Sequence, residues 1–313
     1  MASQMTTIRL STFAIVGLCA SIVAGCSIKQ LTVDLIADGF AGSNDAFATD
    51  DDPELVLDAI PFGLKTYEMM LDASPKNRTL LLAAARGYTA YAYLLQDIAE
   101  RIEEPHLLRS RELRARARKL YLRGRDYALR GLEIAHPQFR RLLREDASVT
   151  LAATTLDDVG FLYWAGAAWA GALSAAKDDA GLIADLPVSG LLVRRVVELD
   201  EAYELGAAHE FLVSYEASRP GGSTQAARQH YRRAIELSGG VKASTFLALA
   251  ESVCIREQAL AEFRILLASA QAIDPERDLS IRLLNTIARR RAAWLEQRIP
   301  DLFIEEADRR KTS

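Results

Sequence analysis

The sequence predicts an all-α protein, a compact superhelix of antiparallel helical hairpins with cryptic tetratricopeptide-like repeats. Three observations lead there. Half of the residues are apolar, Ala, Leu and Arg abound, and no Val/Ile/Thr alternation runs longer than a few residues. Ser74-Pro75, Pro105, Pro137, Pro187, Pro220 and Pro275 punctuate the chain at short intervals, as antiparallel helices require. The stretch from Glu216 to Gly240 reads as a helix end, a forced turn and a new helix, and that helix has an echo thirty-four residues on.

Taken in order, residues 1–25 have the form of a lipoprotein signal. Arg9 is the only charge before Cys26, the apolar run from Leu10 to Ile22 is short for a bilayer span, and Val23-Ala24-Gly25-Cys26 sets small residues before a cysteine. This resembles a bacterial signal cleaved before Cys26, which is then acylated; an ordinary signal peptide or a short anchor is the alternative. Ser27 rather than Asp after the cysteine resembles outer-membrane sorting, which places the protein in the periplasm of a Gram-negative cell, held by lipid. Cys19 then leaves with the signal, and Cys254 remains as a small buried hydrophobe with no partner for a disulfide or a cysteine metal site.

Residues 26–50 read as a lipidated tether, because Gly39, Gly42, Ser43, Asn44 and the Asp50-Asp51-Asp52 run hold no long element. A helical domain follows over 51–306, with a disordered tail at 307–313. Asp52 before Pro53-Glu54 starts its first helix, since carboxylates favour the positive helix end and proline costs nothing in the first turn. The spacing predicts helices over 53–73, with a kink near Pro61, then 78–102, 106–135, 138–155, 157–176, 187–205, 206–218, 223–238, 241–254, 257–272 and 277–298. Within 223–238, Ala227, Tyr231, Ala234 and Ile235 share one face, and Ala261, Ile265 and Ala268 repeat that spacing. Two copies make a pair of hairpin repeats; an irregular helical bundle is the alternative.

The uncharged run from Val159 to Ala176 approaches the length of a membrane span. Ala and Gly fill much of it and Asp157, Asp158, Lys177, Asp178 and Asp179 crowd its ends, so a buried central helix with closely approaching neighbours is expected. The basic run from Arg109 to Arg130 lacks interleaved aromatic platforms, which argues against nucleic acid. It reads as a solvated face, or as a dock for an acidic protein through Arg111, Arg114 and Arg118; Arg289-Arg290-Arg291 admits the same two readings. No catalytic constellation emerges. His209-Glu210 is followed by Val213 where a zinc-protease helix needs its second histidine, His106, His136 and His230 are scattered, and no phosphate loop or nucleophile elbow is present. The expectation is a protein that is not an enzyme and has no metal or cofactor.

Several blocks together resemble a family: Asp52-Pro53-Glu54-Leu55, Ala59 to Lys65, Tyr163-Trp164 with Ala168-Trp169-Ala170, Glu216 to Gly222, Arg228-Gln229-His230-Tyr231, Leu237 to Gly240, Arg289 to Leu295 and Asp301-Leu302-Phe303. In that number and order they resemble the T component associated with tripartite ATP-independent periplasmic (TRAP) transporters, across about 50 to 304. The resemblance implies a helical lipoprotein built on cryptic repeats, a homotrimer, and a channel or cleft through each protomer. It also implies association with a periplasmic solute-binding protein and transfer of a small ligand, hydrophobic or a carboxylate. Tyr163, Trp164, Trp169, Phe211, Tyr215, Arg219 and Trp294 are the candidates to line the cavity, with aromatic rings giving apolar contact and Tyr or Arg orienting a carboxylate. Each is equally placed to be core. A repeat adaptor that scaffolds an envelope assembly without a ligand is the second reading.

Overall fold

A computed structural model describes residues 45–103 and 106–305. The lipidation position Cys26, the signal and most of the tether lie outside the described residues. Among those described there is no strand, and twelve helices of six residues or more form a compact bundle: α1 (Pro53–Ala73), α2 (Arg78–Arg101), α3 (Leu107–Ala135), α4 (Phe139–Glu145), α5 (Ala147–Ala152), α6 (Val159–Ala175), α7 (Ala180–Leu199), α8 (Tyr203–Ser218), α9 (Thr224–Ser238), α10 (Ala243–Leu249), α11 (Leu260–Ala272) and α12 (Arg282–Leu302).

Short polar side chains start many of these helices by accepting from orphan backbone N–H groups. Asp52 Oδ1 takes the N–H of Glu54 and of Leu55 at 3.1 Å, Asn77 that of Leu80 at 2.9 Å, and Ser223 that of Ala226 at 3.1 Å. Asp146 both ends α4 and caps α5 through the Val149 N–H, which is why the helix expected over 138–155 is two. Asp179 caps α7 at Leu182, so that helix begins well before Pro187. Pro187 sits inside it on an exposed position, where the carbonyl it frees can reach water. Within the expected tether, Asp45–Ala48 form one helical turn, and Arg282 holds the segment after it through Thr49 O (3.3 Å) and Asp51 Oδ2 (3.1 Å).

Two apolar clusters form. The larger one joins α1 to α8: α2 packs along α3, α3 along α6, and α6 along α7. α6 is the expected central helix, with Leu162, Ala165, Ala168 and Ala172 fully buried. Its Gly171 lies against the Tyr121 ring, so small residues do admit close neighbours. Among the described residues no helix is long and apolar enough to cross a membrane. The smaller cluster joins α8 to α12 around Phe263, Leu249, Val253, Cys254 and Ala292. Cys254 is buried there, and burial pushes its thiol up to about 12.

The thirty-four-residue echo does not hold. Ala261, Ile265 and Ala268 face outward, Ile265 being 65% exposed, while Phe263, Leu267 and Ala270 occupy the inward places that Ala227, Tyr231 and Ala234 take in α9. The inward faces are thus offset by two further residues. A π-helical turn over Ala250–Cys254, which carries one residue more than the α-turn it replaces, contributes to that slip.

The turn between α8 and α9 depends on Gly222. A Cβ there would sit 2.1 Å from the Glu216 carbonyl oxygen, a backbone atom that cannot step aside. Beyond α9, Gly239 and Gly240 adopt φ of 60° and 71° and return their N–H groups to Glu236 and Ile235, closing the helix. Gly222→Ala is expected to destabilise the fold by about 1–3 kcal/mol through overpacking. Urea unfolding checks this; a midpoint equal to the wild type would remove the contact argument.

Candidate functional site

The two apolar clusters face each other across polar residues. α2 and α6 run parallel along one wall. Arg86 stands over the Trp164 ring (5.5 Å to the centroid), and ten residues on in both helices Gln96 Nε2 donates to Ser174 Oγ (3.0 Å). The opposite wall is α8 and α10, joined by Thr245 Oγ1 to Glu210 Oε2 (2.9 Å) and, further along, by Ser252 Oγ to Ser214 Oγ (2.8 Å). Between the ends, helical spacing puts Ala90 and Tyr93 on the Arg86 face of α2, Ala167 and Ala170 on the Tyr163 face of α6, Ser214 beyond Glu210, and Ala248 beyond Ser244. All of these are half-buried or exposed. Tyr93 and Tyr163 also lie deep enough for burial to raise their phenol pKa values. Partly accessible side chains on these helices therefore mark a polar seam between the helices of the two clusters. The seam is about 16 Å long between Tyr163 and Ser174, at 1.5 Å per residue.

At one end Arg291 of α12 gathers three carboxylates. Nη1 donates to Asp97 Oδ1 (2.8 Å), Nη2 to Glu100 Oε2 (2.8 Å), and Nε and Nη2 grip Glu251 at 2.8 and 2.5 Å. The side chain is only 12% exposed. Burial works against its charge, but Glu251 with Tyr93 and Glu100 outweighs burial and leaves the guanidinium pKa above its ordinary value. Asp97 also takes Arg101 Nε at 2.9 Å, and Trp294 lies beneath both Arg291 and Arg298. Glu251 reaches Arg291 from the π-turn that follows α10.

At the other end a buried Lys242 donates to Glu210 Oε2 (3.0 Å) and to the Glu204 carbonyl (3.3 Å). Burial would raise the Glu210 pKa; Lys242, with Ser244 and Thr245, holds it below the usual carboxylate range. Glu204 pairs with Arg86, and Glu204, Leu205 and Gly206 all take left-handed φ of 45°, 59° and 76°. A left-handed turn costs an L residue about 1–2 kcal/mol, so the two ion pairs hold a strained start to α8.

The expected cavity residues divide among these surroundings. Tyr163 packs edge-on to Trp164 (5.1 Å) and against Tyr203 (5.5 Å) at the Glu210 end, and Trp294 lies at the Arg291 end. Phe211 stacks on Tyr215 (6.0 Å), and Arg219 is paired with buried Glu216, which Arg194 also holds. Trp169 and Tyr215 are 4% and 9% exposed and belong to the larger core. Tyr93, Asp97, Glu100, Lys242 and Glu251 escaped sequence reasoning, and Glu210 enters there only beside His209, against a zinc-protease motif. One signal was available: three consecutive arginines on a helix point 100° apart, so a packed helix must turn one of them inward. Arg289 reaches Gln271 O, Arg290 reaches Glu54, and Arg291 is the inward one. Arg114 and Arg118, read as a docking side with Arg111, are occupied by Glu103 and Asp179.

Two histidines that look scattered in sequence also meet. His209 Nδ1 and His230 Nδ1 are 2.8 Å apart, and His209 Nε2 lies 3.0 Å from Glu201 Oε1, so the pair shares one proton between the two Nδ1 atoms. Burial lowers both pKa values, that of His230 from 6.5 to about 4 with His209 adding to the effect. Among the described residues no three His, Cys, Asp or Glu side chains converge as a metal site.

Comparison with known proteins bears on this architecture. The family described as TRAP transporter T-component matches residues 49–303. An uncharacterized protein of Treponema pallidum (strain Nichols) is 31% identical over 304 residues, covering 90% of this chain and 94% of that protein.

Arg291→Met leaves three carboxylates facing one another at a half-closed site and is expected to cost about 3–5 kcal/mol, the range for breaking a buried pair. Chemical denaturation at neutral pH measures it, and a loss under 1 kcal/mol would mean that the carboxylates relax into water. The histidine pair gives a pH signature. Both folded pKa values are depressed, so the stability contribution is present above about 6.5 and lost as pH falls toward about 4. His230→Gln is therefore expected to lose less stability than the wild type between pH 7 and 4.5; parallel losses would argue against the pair as the titrating group.

Proposed function

The chain belongs to the TRAP transporter T-component family, and from that premise we propose that it binds a small ligand in the seam and exchanges it with a periplasmic solute-binding protein. Family membership gives it an accessory role in TRAP transport, among components of the periplasm and membrane. The finer reading is a lipoprotein held through acylated Cys26, facing the periplasm from the outer membrane, acting as a homotrimer by binding and transfer rather than by chemistry, with no nucleic-acid partner.

The observation that carries the ligand site is the row of small side chains Ala90, Ala167, Ala170, Ser214 and Ala248. They are partly solvent-accessible although the helices that carry them pack into the two apolar clusters. Small residues on facing walls leave width, where Leu or Phe would close it. Tyr163, Trp164 and Trp294 then supply aromatic contact near the ends, and Gln96 Oε1, buried without a donor among the described residues, offers an acceptor to a bound group. Trp169, Phe211, Tyr215 and Arg219 support the walls from outside. The seam's cations Arg291, Lys242 and Arg86 each face a carboxylate already. That favours a hydrophobic ligand over a free organic acid, because an anion would have to displace an existing partner.

Native mass spectrometry of residues 27–313, alone and with the solute-binding protein, tests the reading. The expected result is a trimer that captures that protein with a small molecule attached. Ala167→Trp fills the seam and is expected to lower ligand occupancy by about tenfold or more, about 1.4 kcal/mol, while partner capture persists. Capture of the partner by wild type and variant alike, with no small molecule in either, would favour a scaffolding adaptor instead.

A further inference from the structure

Along the outer face of α3, Arg116, Arg123 and Arg130 recur every seven residues, about 10.5 Å apart and about 21 Å end to end. Each guanidinium lies over a tyrosine ring: Arg116 over Tyr91 at 5.3 Å, Arg123 over Tyr88 at 5.1 Å, and Arg130 over Tyr127 at 5.3 Å. The tyrosines are themselves fixed. Tyr88 stacks on Tyr127 (5.6 Å), and both hydroxyls donate to Glu68 Oε1, at 2.7 and 3.0 Å. Arg116 Nη2 donates to the Tyr91 hydroxyl at 2.9 Å. Lys119 stands exposed beside the row, and Lys76 closes its far end, where Pro75, Lys76, Arg130, Glu133, Ile134 and Pro137 line a shallow recess.

Charge in this row is poorly compensated. Glu68 is the one carboxylate that touches it among the described residues, 3.3 Å from Arg123 Nε. Burial would raise the Glu68 pKa, but hydrogen bonds from Lys65, Tyr88 and Tyr127, with Arg123, hold it down to about 2. No carboxylate pairs with Arg116, Lys119 or Arg130 among the described residues. Arg109, Arg114, Arg118 and Arg125 of α3 are, by contrast, taken up by Glu112, Glu103, Asp179 and Asp126.

We propose that the Arg116–Arg123–Arg130 row is a docking surface for an acidic protein segment that presents carboxylates in a line. Each guanidinium spends one N–H on a neutral oxygen, Arg116 on the Tyr91 hydroxyl, Arg123 on the Tyr88 hydroxyl and Arg130 on the Pro75 carbonyl. Held over a ring as well, it has already lost much of its side-chain freedom and can offer its remaining N–H groups to a carboxylate at low entropic cost. The repeat of about 10.5 Å matches carboxylates every two turns of a partner helix laid alongside. A membrane surface fits less well. Between Arg116 and Arg130 no large apolar side chain is exposed to enter a bilayer. This surface lies on the outer face of the bundle and does not depend on the seam holding a ligand.

The test uses the full chain in detergent and two probes: a helical peptide of about three heptads with glutamate at every seventh position, and phosphatidylcholine vesicles containing phosphatidylglycerol. The wild type is expected to bind the peptide, more weakly as salt rises. The triple variant R116Q/R123Q/R130Q is expected to lose about tenfold or more in affinity. R116K/R123K/R130K, which keeps the charge and gives up the fork, is expected to fall between the two, and it decides the matter should the glutamine variant fail to fold. Neutralising Arg141 and Arg144 on α4 is expected to change nothing. Undiminished peptide binding by the glutamine variant, equal binding by the lysine variant, or wild-type binding to vesicles without binding to peptide would each overturn the proposal.

Discussion

The arrangement of the molecule depends on Arg291. Its three carboxylates come from α2 and from the π-turn that follows α10, so one side chain joins the last helix to both walls of the seam. An apolar contact in that place would draw the walls together until side chains interlocked. A guanidinium with several partners fixes them at a distance instead, since its fork accepts each carboxylate in few orientations. Buried ion pairs add little net stability compared with apolar packing of the same volume. What this one supplies is register: α12 cannot slide along α2 without breaking several charged hydrogen bonds at once.

The opposite end is held differently. There the backbone itself is strained, with two non-glycine residues in the left-handed region, and a buried lysine and an arginine restrain it. Asn285 adds a neutral clamp, accepting from Ala243 N–H and donating to the Val241 carbonyl, which ties α12 to the start of α10 close to Lys242. The seam is therefore bounded by ion pairs at both ends and by small side chains between them. Each end uses charge where a continuous apolar core would have excluded water.

Much of the fold was legible because it is written locally. Asp52, Asn77, Ser223 and the Gly239-Gly240 pair are start and stop signals whose hydrogen bonds span two to five residues, and α1, α2, α3 and α6 fall within a residue or two of their expected bounds. The repeat register was not legible, because the inward faces slip by two residues and one of these comes from a π-turn that has no sequence signature. The seam was hidden for another reason. An alanine facing a space and an alanine facing a core look alike in sequence, so Ala167 and Ala168 read as one buried run although only the second is fully buried. Asp97 and Arg291 lie far apart in the chain, and nothing in either helix's own pattern names the other. Aromatic side chains attracted notice on the strength of residue type alone, and the structure disperses them between core, wall and seam.

Two separate apolar clusters have a mechanical consequence. Each lobe buries its own apolar surface, so a change in seam width exposes little of it and meets a small hydrophobic penalty. Among the described residues only α8 belongs to both: Ala208, Leu212 and Tyr215 pack in the larger cluster, Val213 and Ala217 in the smaller. Any relative movement of the lobes must then pivot on α8, whose first turn is the strained Glu204–Gly206 segment. Rigid cores on either side transmit such a pivot with little loss, because close-packed interiors do not deform continuously. The charged contacts that cross the seam and oppose opening are those of Arg291 with Asp97 and Glu100 and of Arg86 with Glu204. Those are the contacts whose strength changes when a ligand displaces water around them, since the same ion pair is far stronger in a dry seam than in a wet one. On the proposed ligand-binding reading, occupancy and lobe separation would be coupled through electrostatics rather than through apolar packing.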